Sequence, residues 1–217
     1  MPLKVLVLTN LFPSAWDPQR SAFNRQQFER LAQRDRVEVE VMTAVDLRQR
    51  LAGRHGDPGL RHVHAHHFNF VYPPRIGRGL HAWFWLASLW VQRGRYLRTH
   101  SFDCLLASWA YPDGVAVAHL ARHLHLPYAI KVHGSDLNVL AEVPAQRRQI
   151  GAALHGAVAV IAVSQALAEK AEALGVDPER IHVLYNGVDP ERFYPGSRDA
   201  ARERLGIPQS AELVLYI

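Results

Sequence analysis

The chain has 217 residues, 48% hydrophobic and 21% charged, the balance of a soluble globular protein with enough sequence for one large domain or two small ones. Its single cysteine, Cys104, excludes a disulfide framework and any CxxC zinc or redox motif. The net charge of +5 is uneven: residues 1–100 carry 15 Lys/Arg against 7 Asp/Glu, and residues 101–217 carry 10 against 13. A basic half suits an anionic partner such as a phosphate, an acidic glycan or a lipid surface. Nucleic acid is disfavoured, because no basic run is interleaved with aromatics. No stretch approaches the ~20 apolar residues of a membrane span, and the first apolar run is too short for a signal peptide. The expected location is the cytoplasm, either free or peripheral at the inner face of the membrane.

Strands alternate with helices along the chain. Lys4–Thr9 (KVLVLT) predicts a buried strand that ends at the loop Asn10–Arg20, with Pro13 and Pro18. Phe23–Gln33 has one apolar helical face, Val37–Thr43 alternates as a strand does, and Arg48–Leu60 is polar and glycine-bearing, a loop. Arg61–Phe68 predicts a third strand, Gly79–Arg98 a long helix and Asp103–Ser108 a strand. Asp113–His125 predicts a helix with Asp113 as N-cap, followed by strand Tyr128–Val132. A helix over Gln146–His155, strand Ala157–Val163 and helix Gln165–Leu174, capped by Ser164 and closed by Gly175, continue the order. Strand Ile181–Leu184 leads through the loop Tyr185–Gly196 to helix Arg198–Leu205, and Glu212–Ile217 (ELVLYI) predicts a further strand.

This alternation implies a Rossmann-like, doubly wound α/β fold with a mainly parallel sheet. Ligands in such sheets sit beyond the carboxyl ends of strands, at the switch in strand order. The loops after Thr9, Ser108, Val132, Val163 and Leu184 are therefore where chemistry is expected. A fresh apolar strand at residues 212–217 needs partners, so the chain is expected to be the first part of a longer protein.

Four of these loops carry a resemblance. They are Asn10-Leu11-Phe12-Pro13 with Pro18-Gln19-Arg20-Ser21-Ala22-Phe23, Trp109-Ala110-Tyr111-Pro112-Asp113-Gly114, Lys131-Val132-His133-Gly134-Ser135-Asp136, and Leu184-Tyr185-Asn186-Gly187-Val188-Asp189-Pro190-Glu191-Arg192-Phe193. Over about residues 1–195 their order and spacing resemble the N-terminal half of family-four glycosyltransferases, retaining enzymes of the two-domain GT-B architecture. The resemblance implies transfer of a sugar from a nucleotide-sugar donor to a hydroxyl of a glycan or lipid-linked acceptor, without a metal or other cofactor. It also implies that residues 1–195 form the acceptor-side domain and that 196–217 are a linker and the start of a truncated donor-binding domain. The family's paired-glutamate segment, which belongs to that second domain, does not occur in these residues, so the chain alone is expected to be inactive. Two other readings stay open: a stand-alone carbohydrate- or lipid-binding module, and another GT-B enzyme such as a nucleotide-sugar epimerase or a sugar-phosphate synthase. A dinucleotide-binding oxidoreductase is disfavoured because no GxGxxG follows the first strand.

Individual residues sharpen these expectations. His133 follows a strand and should project from the sheet's carboxyl edge, and by resemblance it faces the transferred sugar as the catalytic residue. Gly134 lets a ligand approach the backbone, and Asp136 can accept backbone N–H bonds at a turn or helix start. Arg20 is a charged donor suited to phosphate. The residue after it is Ser21, where many relatives have glycine, and a positive φ is less comfortable there. Trp109 and Tyr111 either stack on a sugar or belong to the core. Asn186, in a strong turn dipeptide with Gly187, shapes the cleft mouth or contacts ligand. His62, His64 and His66 alternate and would share one strand face. No carboxylate or cysteine lies near them in sequence, so they read as a wet sheet edge rather than a zinc site. The segment Trp83–Trp90 is apolar nearly all round and is flanked by Arg75, Arg78, Arg93, Arg95 and Arg98. It is either wedged into the core or turned to a bilayer interface or lipid-linked acceptor.

Overall fold

The computed structural model describes residues 1–52, 56–72, 78–191 and 193–215. Arg75, Arg192, Tyr216 and Ile217 therefore lie outside the described residues. The chain divides into two compact units, Met1–Asn186 and Gly187–Ile217.

The first unit is built on seven strands: β1 Leu3–Thr9, β2 Val37–Asp46, β3 His64–Phe70, β4 Cys104–Ser108, β5 Tyr128–Val132, β6 Ala159–Ala162 and β7 Ile181–Val183. They pair in the order β3-β2-β1-β4-β5-β6-β7, and every pairing is parallel. The helices are α1 Ala22–Ala32, α2 Leu47–Leu51, α3 His81–Thr99, α4 Val115–Leu124, α5 Ser135–Asn138, α6 Pro144–Gly156 and α7 Gln165–Ala173. Strand order runs one way from β1 through β2 to β3 and the other way from β4 to β7. The topological switch thus falls between β1 and β4.

Strand alternation distributes β1 between two cores. Leu6 and Leu8 face the larger cluster, which includes Met42, Phe68, Trp85, Leu89, Leu105, Leu120, Ile130 and Ile150. Val5 and Val7 face the smaller one, with Phe12, Phe28, Val39 and Val41. Each fully buried Leu or Val contributes about 1.5–3 kcal/mol, so a strand buried on both faces makes a rigid base for the loop that follows it.

Several local expectations need correction. Residues 47–51 of the expected loop form α2, because the Asp46 side chain caps it by accepting from the Arg48 N–H at 2.8 Å. β3 starts at His64 rather than Arg61, since the N–H groups of Arg61 and His62 go to the Glu29 carboxylate instead of a ladder. Asp113 does not cap a helix: Ala110–Gly114 forms one wide turn and α4 starts after it with no side-chain cap. His66, on edge strand β3, has Nε2 3.4 Å from Glu40 Oε2. No group of three or more His, Cys, Asp or Glu placed to hold a metal occurs among the described residues.

α3 divides its tryptophans. Trp85 is fully buried, edge-on to Phe68, with its indole N–H donating to Asn10 Oδ1 at 2.7 Å. Trp83 is 46% exposed beside His119, and Trp90 is half-buried under Arg98. Among the described residues no helix is long and apolar enough to cross a membrane.

In the second unit, helix α8, Arg198–Leu205, is capped by Ser197 and closed by Gly206 in the left-handed region. The buried Arg202 guanidinium then donates to the carbonyls of Pro208, Gln209 and Ala211, which folds the tail back on the helix. Residues 212–215 form no strand. Among the described residues no neighbouring strand pairs with their backbone groups.

Candidate functional site

The loops after β1, β4 and β5 meet at the switch point, and a buried carboxylate organises them. Asp136, at the start of α5, is closed off from solvent. Its oxygens accept from the backbone N–H groups of Gly134 (2.8 Å), His133 (3.2 Å), Leu137 (3.2 Å) and, across the sheet, Ala110 (3.1 Å). Burial pushes its pKa up while these four donors hold it down. The arrangement ties the β5 loop to the β4 loop, so Asp136 shapes the site from beneath. Gly134 sits at φ 138, a conformation open to glycine and strained for other residues, although a Cβ there would find room.

His133 stands on this platform. Its ring lies between Phe23, 5.2 Å away, and Trp109, stacked at 6.1 Å. Its Nε2 is 2.9 Å from Ser108 Oγ. Burial, with the nearby Lys131 charge second, pushes its pKa down to about 4, so the imidazole is neutral at pH 7. Trp109 is only half-buried and carries a φ of 152, a strained value found where the surrounding structure over-determines the backbone.

The β1 loop closes the other side. Asn10 donates its backbone N–H to Asp113 Oδ2 at 2.7 Å, and its carbonyl accepts from Arg20 Nε at 2.8 Å. Burial pushes the fully enclosed Asp113 up to about 8. Ser21, where glycine was the more comfortable residue, does take left-handed values, φ 48 and ψ 53, directly before α1.

Lys131 is the residue that the sequence reading passed over. Alternation along β5 puts it on the opposite face from Ile130 and Val132, and it is 1% exposed. Its ammonium donates to Gln27 Oε1 on α1 and to Asn186 Oδ1 at 2.8 Å, which anchors the loop after β7. Burial lowers its pKa to about 8. The available signal was a lysine inside an otherwise apolar strand. Thus His133, Gly134, Asp136, Trp109 and Arg20 gather at one edge, and Lys131 tethers Asn186 to the same sheet. Tyr111 points elsewhere. It is buried in the larger core, 6.1 Å from His81, and hydrogen-bonded to Gln146 and the α3 backbone.

A parallel sheet with polar loops converging at its switch point is the arrangement at which doubly wound proteins bind their ligands. Residues 26–192 match the model of Glycosyltransferase Family 4; the chain belongs to this family. It is 37% identical over 113 residues to D-inositol 3-phosphate glycosyltransferase 1 of Catenulispora acidiphila, a match covering 48% of this chain and 27% of that protein. Its fold is similar to that of Anabaena HepE, solved in complex with UDP (TM-score 0.61, 21% identity, 94% of this chain and 50% of that one). It is likewise similar to sucrose-phosphate synthase of Thermosynechococcus elongatus (TM-score 0.64, 16% identity, 96% and 53%). The chain therefore spans about half the length of these solved GT-B relatives.

Proposed function

We propose that the chain is the acceptor-side half of a retaining glycosyltransferase, which moves a sugar from a nucleotide-sugar to a hydroxyl of a glycan or lipid-linked acceptor without a metal or other cofactor. The observation that carries this reading is the neutral, half-buried His133 at the switch point of a Family 4 chain. As the bond to the nucleotide breaks, positive charge develops at the anomeric carbon. An imidazolium would repel that charge, whereas a neutral imidazole accepts a hydrogen bond from a sugar hydroxyl and stabilises it. Trp109 offers a ring face to the sugar's C–H surface, and Arg20 offers a charged donor to an anionic group of the donor or acceptor. Gly134 leaves room for a ligand beside His133, and Asn186 is held to the same sheet by Lys131. On this reading residues 1–195 serve as the acceptor-side domain and 196–217 as a linker and the start of a donor-binding domain.

His133→Ala, in an enzyme carrying both halves, is expected to lower kcat by about 100-fold while nucleotide binding stays near wild type, because the lost contact strengthens in the transition state. Wild-type kcat would refute the role. The 217-residue chain alone is expected to give no turnover in a donor and acceptor screen, since positioning needs both walls of a cleft. Peripheral association with the inner face of a membrane would use the exposed Trp83 and the flanking arginines. It would show as a salt-sensitive blue shift of tryptophan fluorescence on anionic vesicles, lost in Trp83→Ser.

A further inference from the structure

A chain of buried amides and hydroxyls runs from the β1 loop to His133. Asn24, on the first turns of α1, is fully buried, and so is Ser108 at the end of β4. The Asn24 amide nitrogen donates to the Leu11 carbonyl at 2.7 Å. That carbonyl can only accept, so it decides which way the amide faces: Nδ2 toward Leu11, Oδ1 toward Ser108. Ser108 Oγ lies 3.1 Å from Asn24 Oδ1 and donates its single hydrogen there. With that hydrogen committed, the 2.9 Å contact between Ser108 Oγ and His133 Nε2 is a hydrogen bond only if Nε2 carries a proton and the hydroxyl oxygen accepts it. A neutral imidazole has one N–H, so Nδ1 is left with its lone pair.

We infer that Asn24 and Ser108 are positioning residues that hold His133 as the Nε2–H tautomer, leaving Nδ1 as the acceptor for a hydroxyl of the transferred sugar. The sugar assignment rests on the function proposed above; the tautomer does not. The polarity of the whole relay is set by one backbone carbonyl, 122 residues away from the ring it controls. Neither residue touches substrate in this scheme. Their effect is to keep a donor-only nitrogen pointed at the protein and an acceptor-only nitrogen available to ligand.

The test is nitrogen NMR on the 217-residue chain labelled with 15N-histidine at pH 7, where two-bond and three-bond couplings distinguish the ring nitrogens. His133 is expected to show protonated Nε2 and unprotonated Nδ1. Asn24→Ala frees the Ser108 hydrogen to donate to Nε2, so the signal should move toward the Nδ1–H form. Asn24→Asp, protonated in this buried setting so that one oxygen donates to the Leu11 carbonyl as the amide does, keeps an acceptor facing Ser108 and should restore the wild-type pattern. A merely structural role for Asn24 would leave the tautomer unchanged in all three proteins, and that result overturns the inference. So does an Nδ1–H ring in the wild type, which decides the matter even if Asn24→Ala fails to fold. In an enzyme carrying both halves, Asn24→Ala should lower kcat by about tenfold with little change in KM for the donor. If the tautomer shifts and kcat does not, the relay stands and the sugar contact proposed for His133 falls.

Discussion

Replacing Asp113 by asparagine should change how stability depends on pH more than it changes stability itself. The carboxyl is fully buried, and burial raises its pKa from an ordinary 3.8 to about 8 against the opposing pull of Asn10, Thr9 and Arg20. Between those two values the folded chain holds a proton that the unfolded chain has released. The stability present below pH 4 is therefore lost as pH rises toward 8, by about 1.4 kcal/mol per pH unit. Asparagine mimics the protonated acid and keeps the acceptor for the Asn10 N–H, bonded at 2.7 Å, so its stability lacks this slope. The gap between variant and wild type should widen in the variant's favour by about 1.4 kcal/mol per unit from pH 5 to 7, reaching on the order of 4 kcal/mol at pH 7. A fixed cost of placing an amide there shifts the whole curve and leaves its slope intact. Asp136, also raised, titrates in both proteins and largely cancels. Urea unfolding followed by circular dichroism at half-unit pH steps measures the gap directly. A gap that stays flat across this range would mean that Asp113 is ionised in the folded state, with Asn10 and Arg20 outweighing burial.

Trp85→Ala should cost about 3–5 kcal/mol, because it removes a fully buried ring packed on Phe68 and leaves Asn10 Oδ1 without its donor. Trp83→Ala, at a half-exposed position, should cost about 1 kcal/mol or less; equal losses in thermal unfolding would refute this division of α3. Ser21→Gly should stabilise the chain by up to about 1 kcal/mol, since it relieves the left-handed strain at φ 48 with no side-chain cap to lose. A lower Tm for that variant would show that Ser21 makes an interaction worth more than the strain.

The parts of this molecule that were legible in its sequence are those that local patterning encodes. KVLVLT, YAIKV and the apolar helix faces announce their elements because burial on one or both faces selects residues at fixed spacing. The edge at which loops converge follows from the alternation of strands and helices, which is why His133, Gly134 and Arg20 are expected there. Partners brought together only by the sheet were not legible. Asp113 read as a cap because it precedes a helix, yet its acceptor is used by Asn10, 103 residues away. Lys131 reads as an oddity inside a strand until Gln27 and Asn186 arrive from elsewhere in the chain. Glu212–Leu215 carry the strand pattern, yet no strand among the described residues pairs with them.

The position of β1 has a consequence for the time course of synthesis. One of its neighbours, β2, pairs Val5 with Val39, 34 residues on and reached by the crossover through α1. The other pairs Val5 with Cys104, and the buried edge is sealed by Thr9 reaching Ser108, 99 residues on. At ~5–20 residues per second on a ribosome, β1 waits on the order of 5–20 s for its second neighbour. Throughout that interval Leu6 and Leu8 have no finished core to enter, and one strand edge stands open. This interior strand of the native sheet is thus the segment of the nascent chain most in need of protection, and conditions that slow translation before β4 should lower the yield of folded protein even though they alter no native contact.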